Sequence, residues 1–149
     1  MGIVYVDLRL SNPSEPGLEE ITANALVDTG AIDLVIAEHV AIQLKLGELS
    51  PREMRLADGS RRKVRYAGPV KVEMQGRNCF TGAIIMGDRL LLGAIPMEQL
   101  DVVVDPRGLR VIPNPENPNV QGSLALAASR ASVRDYGRSA PRQACVTRR

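Results

Sequence analysis

The sequence predicts one mainly β domain, and three observations lead to this prediction. At 149 residues the chain is long enough for one domain with a sizeable core, and 44% of its residues are hydrophobic. Aromatic residues make up only 3%, so Val, Ile and Leu have to form the core, and the β-branched members of this set favour strands. Short apolar segments separated by Gly, Pro, Asn and Asp run through about the first 120 residues.

The first part of the chain predicts three strands and one helix. Ile3–Leu10 is an apolar segment that ends at a turn rich in Ser, Asn, Pro and Gly. Ile21–Val27 is a second strand that runs directly into Asp28, and Leu34–Ile36 is a short apolar strand of the buried kind. Ala37–Leu44 follows as a short helix whose apolar residues are available to the core.

The middle of the chain predicts a hairpin followed by two adjacent antiparallel strands. Asp58–Gly59 lies between the extended segments Met54–Leu56 and Arg62–Tyr66, and an Asp-Gly pair between extended segments is a strong short-range hairpin signal. Val70–Met74 alternates apolar and charged residues, as a half-exposed strand does. A Gly-Arg-Asn turn then leads back into Cys79–Met86, which predicts an antiparallel partner.

The end of the domain predicts a second helix and a last pair of strands. Arg89–Gly93 is an apolar run that stops at a glycine, and Ala94–Leu100 is a short helix with a proline in its first turn, where a missing N–H costs little. Val102–Val104 and Leu109–Ile112 are the last strands. The proline-rich segment 113–118 cannot form regular structure, so it closes the fold.

The charge of the chain divides at about residue 120. Residues 1–120 contain 13 Lys and Arg against 16 Asp and Glu, a net charge of −3, whereas residues 121–149 contain six Arg and one Asp, a net charge of +5. Four of these arginines recur every four residues and would line one face of a helix, but Gly137, Pro141 and several serines disfavour it. We therefore expect a domain at 1–120 and a disordered tail at 121–149, with a basic helix as the alternative.

Asp28-Thr29-Gly30 is the segment most informative about chemistry. It places one carboxylic acid at the end of the apolar segment Ala25–Val27, followed by a hydroxyl, a glycine and the small residue Ala31. Gly30 has no Cβ and lets the backbone approach a neighbouring group closely. As a three-residue pattern alone, it is more often an ordinary turn after a strand.

Taken together with the predicted elements, this motif makes residues 1 to about 118 resemble the retropepsin-like (retroviral-type, clan AA) aspartic proteases of the single-domain bacterial type. The resemblance rests on Ala25–Ala31, on the Asp58–Gly59 hairpin about 30 residues later, and on Leu91–Gly93 before a helical segment. It implies a closed, barrel-like β fold with a ψ-shaped strand crossing under the active-site turn, a flap hairpin and one or two short helices. Two features depart from the family: the flap tip is poor in glycine, and Ile32 stands where many cellular members have Ser or Thr.

The resemblance implies an aspartic endopeptidase that hydrolyses peptide or protein substrates as a homodimer, because the chain carries one copy of the motif. Asp28 of both subunits would be catalytic, since two carboxyl groups that share a proton supply a base and an acid for one water. Thr29 would bond the opposite subunit, and Gly30, Ala31 and Gly93 would support the site. Activity would favour acidic to mildly acidic pH.

Candidate substrate contacts lie on the active-site turn and on the flap. Asp33 either binds substrate backbone or pairs with an arginine, while Asp58 and Gly59 would form the flap tip. The basic residues around that tip either attract acidic substrates or form a solvated hairpin face. They are Arg61, Arg62, Lys63 and Arg65.

Other functions find less support in the sequence. His39 is the only histidine and no phosphate-binding glycine loop occurs, so we expect no metal and no organic cofactor. The segment lengths predict no membrane span, and two distant cysteines do not form a disulfide scaffold, so we expect a cytoplasmic protein. The main alternative is a catalytically weak peptidase fold that serves as a dimerisation or peptide-binding module. Nucleic acid is expected as a partner only if the basic tail binds it.

Overall fold

Ten strands and two short helices make up the part of the chain that the computed structural model describes, residues 2–123. In chain order they are β1 Tyr5–Ser11, β2 Ile21–Val27, β3 Leu34–Ile36, α1 Glu38–Gln43, β4 Gly47–Glu48, β5 Arg52–Arg55, β6 Arg61–Met74, β7 Arg77–Ile85, β8 Leu90–Leu92, α2 Ala94–Leu100, β9 Val102–Asp105 and β10 Arg110–Pro113. The expected tail lies outside the described residues from position 124 onward. No helix between residues 2 and 123 has the length and apolar character to cross a membrane.

Six strands form a closed barrel. Their order is β1-β2-β8-β3-β7-β6, and β1 also pairs with β6 through Leu10 and Val72, which closes the sheet on itself. β4 and β5 pair with two other parts of the long strand β6, and β9 and β10 form a separate two-stranded sheet. The predicted mainly β, closed, barrel-like fold is therefore confirmed.

The core is aliphatic, as the shortage of aromatic residues predicts. Full burial of one Leu, Ile or Val side chain stabilises a fold by about 1.5–3 kcal/mol. The largest fully buried side chains of the core include Leu8, Leu10, Leu34, Ile36, Leu44, Val70, Val72, Leu92, Leu100 and Val111. Cys79 is buried among them, and desolvation raises the pKa of its thiol to about 11, so it is an inert packing group.

The structure differs from the sequence expectation in three places. Arg62–Tyr66 and Val70–Met74 were expected as separate strands, yet both belong to β6, because a bulge between Ala67 and Val70 absorbs Pro69, which cannot donate a ladder hydrogen bond. Pro113 was assigned to irregular structure but ends β10, where an edge position needs no N–H. The two-residue strand β4 is too short to leave a sequence signal.

Helix α2 ends at a polar network that holds the C-terminal segment. Asp101 caps the helix with φ of 53°, and its carboxylate accepts the backbone N–H of Gly122 at 2.7 Å and the side-chain amide of Asn114 at 2.8 Å. The buried guanidinium of Arg77 donates to the same carboxylate at 2.7 Å and to the carbonyl of Asn117. These hydrogen bonds, with that of Gly122 first, lower the pKa of Asp101 to about 2.

Candidate active site

The candidate site lies where β8 passes between β2 and β3. β2 and β3 are consecutive in the chain, but β8 separates them in the sheet: Val27 pairs with Leu92 in a parallel ladder, and Val35 pairs with Leu91 in an antiparallel one. The loop that joins β2 to β3 therefore crosses over the end of β8. This is the ψ-shaped crossing that the resemblance implies, and residues 28–33 form its loop.

Asp28 begins this loop and is held by backbone hydrogen bonds. Its N–H donates to the carbonyl of Leu92 at 3.1 Å, and its carbonyl accepts the N–H of Ala31 at 3.1 Å. Its carboxylate Oδ1 accepts the N–H of Gly30 at 2.9 Å, which orients the side chain within its own turn. Asp28 is half-buried as a residue, whereas Thr29 and Gly30 are exposed, so the turn presents an open face to solvent.

Gly30 lies so close to this carboxylate that little room is left for a side chain. A Cβ at this position would lie 3.2 Å from the Asp28 Oδ1 atom, closer than side chains normally pack. Because Gly30 has no side chain, the Asp28 carboxylate can come close enough to accept the N–H of Gly30.

The first turn of α2 supports the loop from below. The N–H of Ala94 donates to the carbonyl of Ala31 at 2.8 Å, and the N–H of Ile95 donates to the carbonyl of Ile32 at 3.0 Å. The first N–H groups of a helix have no partner within the helix, so this contact satisfies donors of α2 and acceptors of the loop together. The loop is thus fixed to β8 and α2 by its backbone.

Gly93 joins β8 to α2 directly beneath the loop. A Cβ here would lie 2.3 Å from the carbonyl oxygen of Asp33 and 2.8 Å from that of Ile32. Its φ of −84° suits any residue, so the requirement for glycine at this position is one of space alone. Any side chain at Gly93 would displace the backbone of Ile32 and Asp33 at the end of this loop.

Asp33 ends the loop and is tied to the hairpin β5–β6. Its Oδ1 lies 3.4 Å from Nη1 of Arg52, and only 15% of the Asp33 side chain is exposed. The Arg52 guanidinium also lies 3.8 Å from the ring centroid of Tyr66, a cation–π contact. Tyr66 packs so closely on Gly82 that a Cβ there would approach its ring to 2.3 Å. Of the two roles expected for Asp33, the structure contains the pairing with an arginine.

Asp58 and Gly59 lie at the tip of the predicted hairpin. The N–H of Leu56 donates to the carbonyl of Ser60 at 2.8 Å, and Gly59 has φ of +82°, a conformation that favours glycine. The Asp58 carboxylate accepts the backbone N–H of Ser60 at 2.8 Å. Hydrogen bonds from the side chain and the backbone of Ser60 lower the pKa of Asp58, so this exposed carboxylate organises its own turn.

A second hydrophobic cluster, the flap-base cluster, joins the hairpin to the strands beside the loop. It contains residues of β3, β5, β6, β7 and β8 that pack together apart from the main core. Its members are Val35, Met54, Val64, Tyr66, Ile84, Met86 and Leu91. Sequence reasoning missed this cluster; the only local signal was the period-two spacing of Val64 and Tyr66.

Three exposed isoleucines lie in the Asp28 loop or next to segments that are hydrogen-bonded to it or to the end of β2. Ile32 lies in the loop with 64% of its surface exposed, and Ile95, hydrogen-bonded to it through the backbone, is 40% exposed. Ile3 is 69% exposed and precedes Val4, whose carbonyl accepts the N–H of Val27 at the end of β2. Large exposed apolar side chains grouped at one place are typical of interaction surfaces.

The predicted site residues fall into two groups. Those of the loop and of the β8–α2 junction come together at one end of the barrel, and the flap residues lie on a separate hairpin. The first group is Asp28, Thr29, Gly30, Ala31, Asp33 and Gly93, and the second is Asp58 and Gly59. Within residues 2–123, His, Cys, Asp and Glu side chains form no group of three or more that could hold a metal ion.

Comparison with known proteins bears on the fold. No protein-family model matches this chain, and no curated protein matches it. Among solved structures, the chain is similar to the EIAV protease complexed with the inhibitor HBY-793, with a TM-score of 0.52 and 18% sequence identity. The match covers 66% of this chain and 88% of that one. The protein therefore has the fold of a retroviral protease.

Proposed function

We propose that the protein is an aspartic endopeptidase that works as a homodimer, with Asp28 of each copy in one shared active site. The observation that carries this proposal is the position of Asp28: it lies on the loop of the ψ-shaped crossing, in the fold of a retroviral protease. An ordinary turn after a strand would need neither the backbone support from β8 and α2 nor the room that Gly93 leaves.

The chemistry requires two carboxyl groups that can share a proton. The loop of one chain supplies Asp28, since its other carboxylate, Asp33, is paired with Arg52. In the dimer the two Asp28 side chains share one proton, because like charges held close together cannot both ionise readily. The ionised carboxylate accepts a proton from the bound water, whose oxygen attacks the peptide carbonyl carbon. The protonated carboxyl then gives its proton to the leaving nitrogen, so activity requires that one of the pair stays protonated.

The remaining loop residues support this pair in the proposal. Gly30 orients the carboxylate through its N–H, and Ala31 accepts the hydrogen bond from α2 that fixes the loop. Thr29 is exposed on the open face, where its hydroxyl is available to the partner copy. Asp33 binds substrate at the edge of the loop while Arg52 holds it.

Asp58 and Gly59 close over the substrate as the tip of the flap. The hairpin that carries them is anchored to β3 and β8 through the flap-base cluster, so its base is fixed while its tip is exposed. Closure excludes water, which strengthens the electrostatic interactions on which the carboxyl pair depends.

The second copy docks on the face that carries Ile32, Ile95 and Ile3. This face adjoins the Asp28 loop, which the partner has to approach, and burial of its exposed isoleucines favours association. The proposed domain spans residues 1–120. A role of the tail, including nucleic-acid binding, stays a prediction of the sequence, as does a cytoplasmic location.

Hydrolysis by the Asp28 pair is tested by digestion of an unfolded protein between pH 4 and pH 7. Asp28→Asn should reduce the rate by at least about 10²–10⁴-fold, the range of general acid–base catalysis. The exposed Asp88 provides a matched control, and Asp88→Asn should leave the rate unchanged. Sedimentation should show a dimer for all three proteins.

Two results would contradict the proposal. One is a strictly monomeric wild-type protein. The other is equal digestion by the wild type and Asp28→Asn. A dimer that binds peptides and never cleaves them would instead identify the peptide-binding module.

A further inference from the structure

The two faces of the hairpin β5–β6 carry different residues. Residues that pair across an antiparallel ladder point to the same side, and Arg52 pairs with Val64 while Met54 pairs with Arg62. Val64 and Met54 belong to the flap-base cluster, which packs on β3 and β8, the strands that flank the Asp28 loop. The face with Arg52, Met54, Arg62 and Val64 is therefore the inner face, on the side of the candidate site.

Two basic residues of the hairpin, Arg61 and Arg65, lie on the outer face and are paired with carboxylates there. Arg61 lies 3.2 Å from Glu53, and Arg65 lies 2.6 Å from both Glu38 and Glu48. Hydrogen bonds with Glu38 and then Glu48 raise the pKa of Arg65 further. Exposed pairs of this kind have little energetic effect and mainly neutralise charge. The solvated-face interpretation of the basic flap thus fits Arg61 and Arg65.

Arg62 differs from these residues in its face and in its partners. It is two residue pairs nearer the tip than Val64, on the same inner face, and it is exposed. Within residues 2–123 no carboxylate lies within ion-pair distance of it. Arg52, its neighbour on the same face, already holds the carboxylate of Asp33. The inner face therefore presents one paired and one unengaged guanidinium.

We infer that Arg62 determines specificity and favours peptide substrates with an Asp or Glu side chain close to the scissile bond on the flap side. The inference rests on the proposed function, since it names the substrate class of that site. A guanidinium and a carboxylate brought together under a closed flap attract each other more strongly than in open solvent, because less water screens them. Side chains of an extended peptide alternate in direction, so the preference should appear at particular positions only.

The test measures binding to the Asp28→Asn protein, so that it does not depend on hydrolysis. The probes are fluorescein-labelled pools of peptides about eight residues long, each with Glu or Gln fixed at one position and the others randomised. With Arg62 in place, Glu should bind more tightly than Gln by about fivefold at one or two positions, the ratio for a partly exposed ion pair. Added salt should reduce this ratio.

Lys63 provides the matched control, because it neighbours Arg62 but pairs with Glu53 in the ladder and so lies on the outer face. Arg62→Gln and Lys63→Gln remove the same charge, and only Arg62→Gln should abolish the preference for Glu. Equal loss in both variants, or no preference for Glu at any position with Arg62 present, would overturn the inference. Absence of cleavage by the wild type would count against the protease proposal alone, since binding is measured separately.

Discussion

The Asp28 loop and the flap hairpin are held in different ways, although both contribute to the proposed site. The loop is fixed by backbone hydrogen bonds to β8 and α2, with Gly93 pressed against it from below. The hairpin is anchored only at its base, through the flap-base cluster and the Arg52–Asp33 pair, and its tip depends on contacts within its own turn. In the proposed enzyme, the reacting group thus lies on the element with more backbone support, and substrate selection on the hairpin whose tip has less.

The largest expected effect comes from filling the space beneath the loop. Gly93→Ala places a Cβ against the backbone of Ile32 and Asp33, so it should lower the free energy of unfolding by about 3 kcal/mol or more and abolish hydrolysis. Urea denaturation and the digestion assay measure both effects.

Gly59→Ala is the matched change on the flap. Nothing lies within 4 Å of a Cβ there, so only the positive φ opposes the substitution, at a cost of about 1–2 kcal/mol. Equal destabilisation by Gly59→Ala and Gly93→Ala would show that the loop is no more constrained than the flap.

A smaller effect is expected on the open side of the same loop. Ile32→Asp puts a charge at the proposed interface, once in each copy of a symmetric dimer, and should weaken dimerisation by at least about tenfold. Ile42→Asp is the control, because Ile42 on α1 is exposed to 68%, close to the 64% of Ile32. Sedimentation over a range of concentrations gives the dissociation constants. If both variants dimerise as the wild type does, the isoleucine face is not the interface.

The smallest predicted effect concerns the far end of α2, the helix that supports the loop. Asp101 has a pKa of about 2 in the folded protein and about 4 when unfolded, so its ionised form stabilises the fold above about pH 4. That contribution is lost as the pH falls towards 2. Asp101→Asn should therefore lower stability at pH 6, and the difference from the wild type should shrink as the pH approaches 2. Urea denaturation at several pH values measures this, with Asp88→Asn as the control. A difference that does not change with pH would exclude ionisation of Asp101 as the cause.

The sequence allowed the local elements of the fold to be predicted, because their signals are local. Helix α2 was predicted with its observed bounds, since Gly93 precedes it and Pro96 lies in its first turn. The continuity of β6 through Pro69 was not predicted, because a Gly-Pro pair marks a break unless a bulge absorbs it.

The features that depend on tertiary packing could not be read from the chain. The pairing of Asp33 with Arg52 joins residues on different elements, so the sequence left two roles open. The same holds for the flap-base cluster and for the two faces of the hairpin, because a face becomes inner or outer only when the hairpin packs on β3 and β8. Asp28 itself was identified from a short motif, but its support by Leu92 and α2 appears only in the folded chain.

The late position of β8 in the chain determines when the Asp28 loop gains its support during synthesis. Asp28 leaves the ribosome long before Leu92, the residue whose carbonyl fixes its backbone. Until β8 has been synthesised and inserted between β2 and β3, the turn at Asp28 lacks its supporting ladder, and such contacts between distant parts of a chain form slowly. In the proposed enzyme, a nascent chain therefore carries Asp28 before the strand that supports its backbone is in place.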